Sequence, residues 1–199
     1  MTKAPAKPGT IRIIAGRHRG RRIAVPADGV RPTSDRVRGA MFNVLAHNSW
    51  RGATLPAGAR VLDAFAGTGA LGLEALSRGA AEVMFFETDA RTAKALGRTI
   101  DEFDETSRAF VLPRDATKPG APIGKQRFDM MLVDAPYGSG LGAQALAACA
   151  GAAWLNDGAV AVVELDGRDG FDVPTGFAVA DDRSYGRTRL VFLEWAVSP

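Results

Sequence analysis

The sequence predicts an α/β fold: a mostly parallel seven-stranded sheet with helices on both faces, an antiparallel strand at one edge, and a basic β-hairpin in front. Three observations predict it. From Ala59 onward, short apolar runs alternate with segments of helical period, the signature of strands joined by right-handed helical crossovers. Runs such as Met130–Val133 and Ala159–Val163 are apolar at every position, as strands covered on both faces are. The last two runs are separated only by a short link through Ser184-Tyr185-Gly186, so they read as an antiparallel edge pair.

The elements follow in order. Residues 1–10 carry lysines and prolines without an apolar core and read as a disordered lead, not a secretory signal. Ile11–Ala15 and Arg22–Val25 read as two strands around an arginine-loaded Gly16–Gly20 turn. Thr33 or Ser34 can cap a helix from Asp35 to His47, with Val37, Met41, Val44 and Leu45 on its apolar side. Strands are expected at Arg60–Phe65, Glu82–Glu87, Ala109–Leu112, Phe128–Asp134, Ala159–Leu165, Phe177–Ala180 and Arg187–Ala196. Helices are expected at Ala70–Arg78, Ala90–Phe103 and Leu141–Trp154.

The net charge of +3 hides an asymmetry. Residues 1–51 hold 11 Lys/Arg against 2 acids, and residues 52–199 hold 14 against 20. The chain therefore divides into the lead, a basic hairpin-and-helix unit over 11–51 for a polyanion such as RNA, and an acidic body over 52–199. One cysteine, Cys149, excludes an internal disulfide and suits a reducing compartment, the cytoplasm. No apolar run approaches the ~18–20 residues of a membrane span. Two histidines and one cysteine, far apart, offer no metal-ligand spacing.

Residues 63–69 read Asp-Ala-Phe-Ala-Gly-Thr-Gly between a strand and a helix. Such a loop presents backbone N–H groups at a helix N-terminus, and its glycines let a ligand approach. The acid at Asp63 disfavours a pyrophosphate and favours a cationic amino-acid head. S-adenosylmethionine carries an ammonium and a sulfonium. Glu87 ends the second strand, where an acid can accept from ribose hydroxyls. Asp115-Ala116 follows the third strand, where a carboxylate can accept from an adenine amine. A nicotinamide site is the rival, but its third glycine would have to be Gly72, out of place.

Asp134-Ala135-Pro136-Tyr137 ends the fourth strand, at the expected switch point. An exocyclic amine on a base is a poor nucleophile because its lone pair is delocalised into the ring. The Asp134 carboxylate and the Ala135 carbonyl can each accept one N–H and aim that lone pair at a methyl donor, with Tyr137 stacked on the ring. Rate would come from orientation and electrostatics. A base within folded RNA must be splayed out to reach such a pocket. The pair of motifs describes a methyltransferase.

The stretches Arg12–Arg22 (RIIAGRHRGRR), Arg31–Leu45 (RPTSDRVRGAMFNVL) and Val61–Ala80 (VLDAFAGTGALGLEALSRGA) resemble the bacterial 16S rRNA guanine-N2 methyltransferases of the RsmD type. The resemblance covers the chain from about Ile11. It implies a class I methyltransferase (Rossmann-like) fold and S-adenosylmethionine as donor, with S-adenosylhomocysteine as product; no metal is expected, as the ligand spacing above indicates. It also implies transfer to N2 of one guanine of 16S rRNA. The expected partner is that RNA within the small subunit or an assembly intermediate, and the expected state is a monomer, with the form of the substrate and the oligomeric state left open by the sequence. By position, Asp63, Gly67 and Gly69 would hold the methionine part, Glu87 the ribose, and Asp115 and Ala116 the adenine. Phe65 and Thr68 belong to the same donor site, and Asp134, Ala135, Pro136 and Tyr137 would receive the amine. The family's loop is usually Asp-Pro-Pro-Tyr or Asp-Pro-Pro-Phe, so Ala135 departs from it. The carbonyl survives that change, while the locked φ of proline does not.

Arg12, Arg17, Arg19, Arg21, Arg22, Arg31, Arg36 and Arg38 form the expected phosphate-binding surface, with His18 beside them. Trp50, Trp154 and Trp195 are expected to pack, and Asp101-Glu102 and Asp104-Glu105 to be a solvated helix end. Two alternatives stay open: the same chemistry on another amine, such as adenine N6, and a catalytically weakened rRNA-binding assembly factor.

Overall fold

The computed structural model describes residues 9–25, 34–48, 50, 55–124 and 126–196. Strands β1 (Gly9–Arg12) and β2 (Arg22–Val25) pair antiparallel, with Ile11 opposite Ile23. Strand β1 starts two residues before the expected Ile11, because Gly9 and Thr10 find partners in Val25 and Ala24. It also ends early. The amides of Ile14 and Ala15 donate to the Glu74 carboxylate instead of to a strand. Helix α1 (Asp35–His47) is capped by Ser34, whose side chain accepts from the Val37 amide. Thr33 lies outside the described residues.

The remaining elements are β3 (Arg60–Asp63), α2 (Ala70–Ser77), β4 (Glu82–Phe86), α3 (Ala90–Glu102), β5 (Ala109–Leu112), β6 (Phe128–Val133), α4 (Leu141–Gly151), β7 (Leu155–Asp166), β8 (Phe177–Tyr185) and β9 (Thr188–Trp195). The seven-stranded sheet runs β5-β4-β3-β6-β7-β9-β8. The ladders from β5 to β7 are parallel, and β9 lies antiparallel to both β7 and β8. Strand β7 is longer than its apolar run, since Leu155 already pairs with Phe128. Strand β8 extends to Tyr185 through polar residues on the exposed edge.

Successive strand residues point to opposite faces, and two cores result. Val61, Met130, Leu132, Val160 and Val162 face one core together with α2, α3, α1 and the hairpin residues Ile11, Ile13, Ile23 and Val25. Leu62, Met131, Val133, Ala161 and Val163 face the other, with Ala145, Leu146 and Cys149 of α4. In packing terms, the hairpin and α1 belong to the same core as the sheet. The three tryptophans pack as expected. Trp50 stacks on Phe192, Trp154 lies between Phe86 and Phe128, and Trp195 tilts against Phe177.

The hairpin is fastened to α2 by a buried carboxylate. Besides the two amides, Glu74 accepts from Arg78 at 2.7 Å and pairs with Arg38 at 3.7 Å. Ser77 accepts the His18 amide, and its hydroxyl donates to the Ala15 carbonyl. A β-carbon at Gly16 would lie 1.8 Å from the Ser77 carbonyl oxygen, so only glycine permits this approach. No helix among the described residues is long and apolar enough to cross a membrane.

Candidate active site

The switch point falls between β3 and β6, whose connections leave toward opposite ends of the sheet. In open α/β sheets the crevice at such a point binds ligands. Here the C-terminal ends of β3, β4, β5, β6 and β7 open into a cleft of about 1290 Å³. Asp63, Phe65, Gly67, Thr68, Glu87, Asp115, Ala116 and the whole of Asp134–Tyr137 line it. Of the predicted donor residues only Gly69 does not. It is the left-handed N-cap of α2 (φ 77°), and a side chain there would strike Leu96.

Asp63 is 1% exposed. One carboxylate oxygen accepts the Gly72 amide at 2.9 Å, and the other has no hydrogen-bond partner among the described residues. Burial raises its pKa to about 7, against the opposing pull of the Gly72 amide and with a smaller push from Glu87. A half-satisfied buried carboxylate facing a cleft suits an ammonium. Glu87 ties the loop to β4 by accepting the amides of Gly67 and Asp89. A β-carbon at Gly67 would meet nothing within 4 Å, so the cleft is open above it. Asp115 is exposed, and Thr117 hydrogen bonds hold its carboxyl below the usual range. These residues fit S-adenosylmethionine: an acid for its ammonium, open space over the glycine loop, and acids at the ends of β4 and β5. Gly72 serves helix–strand packing instead, since a β-carbon there would lie 2.2 Å from the Phe85 ring.

On the other side of the cleft, the Asp134–Tyr137 loop is pinned. The Tyr137 hydroxyl donates to Glu164 at 2.8 Å, the Gly138 amide to Asp169 at 2.9 Å, and the Ser139 hydroxyl to the Pro136 carbonyl. Ala135 is buried in the α4-side core. The loop therefore has anchors that do not depend on a second proline. Burial first, then Glu164, raises the Tyr137 pKa far above its ordinary value, so the phenol stays protonated. Its ring remains half exposed.

A family model described as "Conserved hypothetical protein 95" matches residues 11–194. The chain belongs to this family, that of the RsmD-type methyltransferases. Ribosomal RNA small subunit methyltransferase D of Escherichia coli (strain K12) is 35% identical over 181 residues, spanning 90% of this chain and 87% of that protein. The protein of the same name from Haemophilus influenzae is 31% identical over 190 residues, spanning 92% and 93%. The solved structure of yhhF from Escherichia coli matches with a TM-score of 0.80 at 33% identity, covering 96% of this chain and 100% of that one. The fold of this RsmD-type chain is that of class I methyltransferases.

The basic surface needs correction. Arg12, Arg17, Arg19, Arg21, Arg22 and Arg36 are exposed, and Arg31 lies outside the described residues. Arg38 is fully buried. It neutralises Glu74 and bonds Asp35 and the Arg12 carbonyl, so it cannot meet a phosphate. His18 is buried too, bonded to Glu105 and tilted against Phe103. Glu105 is consequently no solvated helix end: it is buried and bound by His18 and Arg108. Sequence reasoning missed Glu74 and Glu164. Each is a single acid inside an otherwise apolar segment, ALGLEALS and AVAVVEL, and that isolation is the signal.

Proposed function

We propose that this protein transfers a methyl group from S-adenosylmethionine to the exocyclic N2 of one guanine in 16S rRNA, within the small ribosomal subunit or an assembly intermediate. The observation that carries this reading is the shared cleft. A half-satisfied buried acid and an open glycine loop stand on one side, and the Asp134–Tyr137 loop on the other. The names of the relatives support an rRNA substrate.

When bound, the donor supplies an electrophilic methyl group. Asp63 holds its ammonium, Glu87 its ribose hydroxyls and Asp115 its adenine amine, with Phe65 and Ala116 packing beside it. Asp134 and the Ala135 carbonyl each accept one N–H of the guanine amine, which orients the nitrogen lone pair. The amine turns acidic only as its new bond forms, and Asp134, already accepting one of its N–H groups, takes the proton it sheds. The protonated Tyr137 cannot act as a base. Its ring packs on the guanine while Glu164 fixes its hydroxyl. The exposed hairpin arginines bind phosphates beside the cleft wall formed by Ile11 and Val25.

Small subunits from cells lacking this protein, incubated with it and labelled S-adenosylmethionine, test the proposal by nucleoside analysis. Label in N2-methylguanosine is expected. Label in N6-methyladenosine would overturn the base assignment, and bound donor without transfer would overturn the enzyme reading.

A further inference from the structure

Glu164 has no place in the donor site, yet the fold keeps a carboxylate there. It sits near the C-terminal end of β7, opposite Leu190 of β9, and directly after an apolar run. It is 2% exposed. Its carboxylate accepts the Tyr137 hydroxyl at 2.8 Å, which sets it directly behind the Asp134–Tyr137 loop. Glu164 lies on the sheet face it shares with Val160 and Val162, the face covered by the hairpin and α1. It lines the same cleft as Asp134, and both carboxylates act on the Tyr137 phenol.

The chemistry of the base edges makes this arrangement selective. The amine of guanine sits beside a ring N1–H. The amines of adenine and cytosine each sit beside a ring nitrogen lone pair. Guanine alone therefore offers three contiguous N–H donors to three acceptors. Two of those acceptors are Asp134 and the Ala135 carbonyl.

We propose that Glu164 is the third, accepting the guanine N1–H and thereby setting the specificity of the enzyme for guanine over other aminated bases. The assignment rests on the guanine reading above and deepens it. A carboxylate accepts several hydrogen bonds at once, so the tyrosine hydroxyl and the base share it. A base with a lone pair at that position faces a buried negative charge and loses a hydrogen bond, and sites built on such bonds reject their analogues strongly.

The test uses small subunits in which the mapped target guanine is replaced by 2-aminopurine, which keeps the amine but carries a lone pair at N1. The wild type should favour guanine by roughly 100-fold or more in kcat/KM. Glu164→Gln should shrink that ratio to about fivefold or less, because an amide can turn either its oxygen or its NH2 toward the base. Tyr137→Phe keeps the carboxylate and should keep the ratio. Equal losses on both substrates in Glu164→Gln would mean that Glu164 only props the loop, and would overturn the proposal. So would a wild type that methylates 2-aminopurine as well as guanine, a result that needs no variant to fold. Label on a base other than guanine in unmodified subunits would instead remove the reading beneath it.

Discussion

Asp63→Asn should make the protein more stable and its donor binding weaker, with both effects following pH. The acid ionises at 3.8 ordinarily and at about 7 in the folded chain, chiefly because it is buried. Between those values the folded state holds a proton that the unfolded state has released, so stability falls as pH rises from about 4 to 7 and is level above. At ~1.4 kcal/mol per pH unit the full penalty is about 4 kcal/mol. Asparagine removes it while keeping an oxygen for the Gly72 amide. Its NH2 then lies where no partner stands among the described residues, which returns about 1–2 kcal/mol. The variant should exceed the wild type by about 2–3 kcal/mol at pH 8 and show no gain at pH 4.5. Urea unfolding followed by tryptophan fluorescence measures the difference. By calorimetry, donor affinity of the wild type should rise through pH 7 and then level, while the variant binds roughly 10–100-fold more weakly at pH 8, as expected for a lost charge-assisted bond of ~1.5–3 kcal/mol. A variant less stable than wild type at pH 8, or a stability difference independent of pH, would refute the reasoning.

Other expectations concern the wall and floor of the cleft. Glu74→Ala removes a buried carboxylate from Arg38, leaves two hairpin amides without their acceptor, and should cost about 3–5 kcal/mol in urea unfolding; a loss under about 1 kcal/mol would contradict the fastening described. Gly72→Ala drives a methyl into the Phe85 ring, so it should lower the melting temperature by an amount matching about 1–2 kcal/mol despite alanine's helix preference. Arg19→Ala with Arg36→Ala should weaken RNA binding and flatten its salt dependence by about one unit of slope per lost phosphate contact, whereas Arg38→Met should leave the slope unchanged and destabilise the fold. Ala135→Pro should alter kcat by less than about threefold, since three hydrogen bonds already pin the loop; a tenfold rise would show that the proline's rigidity is needed.

Much of this was readable one residue after another. The apolar runs marked the inner strands, and Asp63, Glu87, Asp115 and Asp134 all stood at strand ends in the text. Chain direction and short links then brought those ends to one edge. Strand limits were less legible. Strand β1 stops at Arg12 because Glu74, 60 residues away from Ile14, takes the amides that a strand would use. Strand β8 runs to Tyr185 because β9 pairs with it on both sides of a register shift between Val179 and Asp181, although most of its later residues are polar.

The sequence by itself determined the class of fold, the glycine loop, the Asp134–Tyr137 loop at a strand end and the basic character of the first fifty residues. Periodicity, turn residues and local charge report on neighbours in the chain, and those features depend on neighbours. Only the tertiary structure decided which charges serve the surface and which the interior. Arg38 and Arg36 look alike in sequence, yet one lies at 0% exposure against Glu74 and the other in solvent. Glu105 looks like its acidic neighbours until His18, 87 residues away, meets it. Burying a charge is costly unless a partner offsets its desolvation, and for Arg38, Glu74 and Glu105 that partner comes from a distant part of the chain, brought in by the packing of the hairpin and α1 against the helices of the sheet.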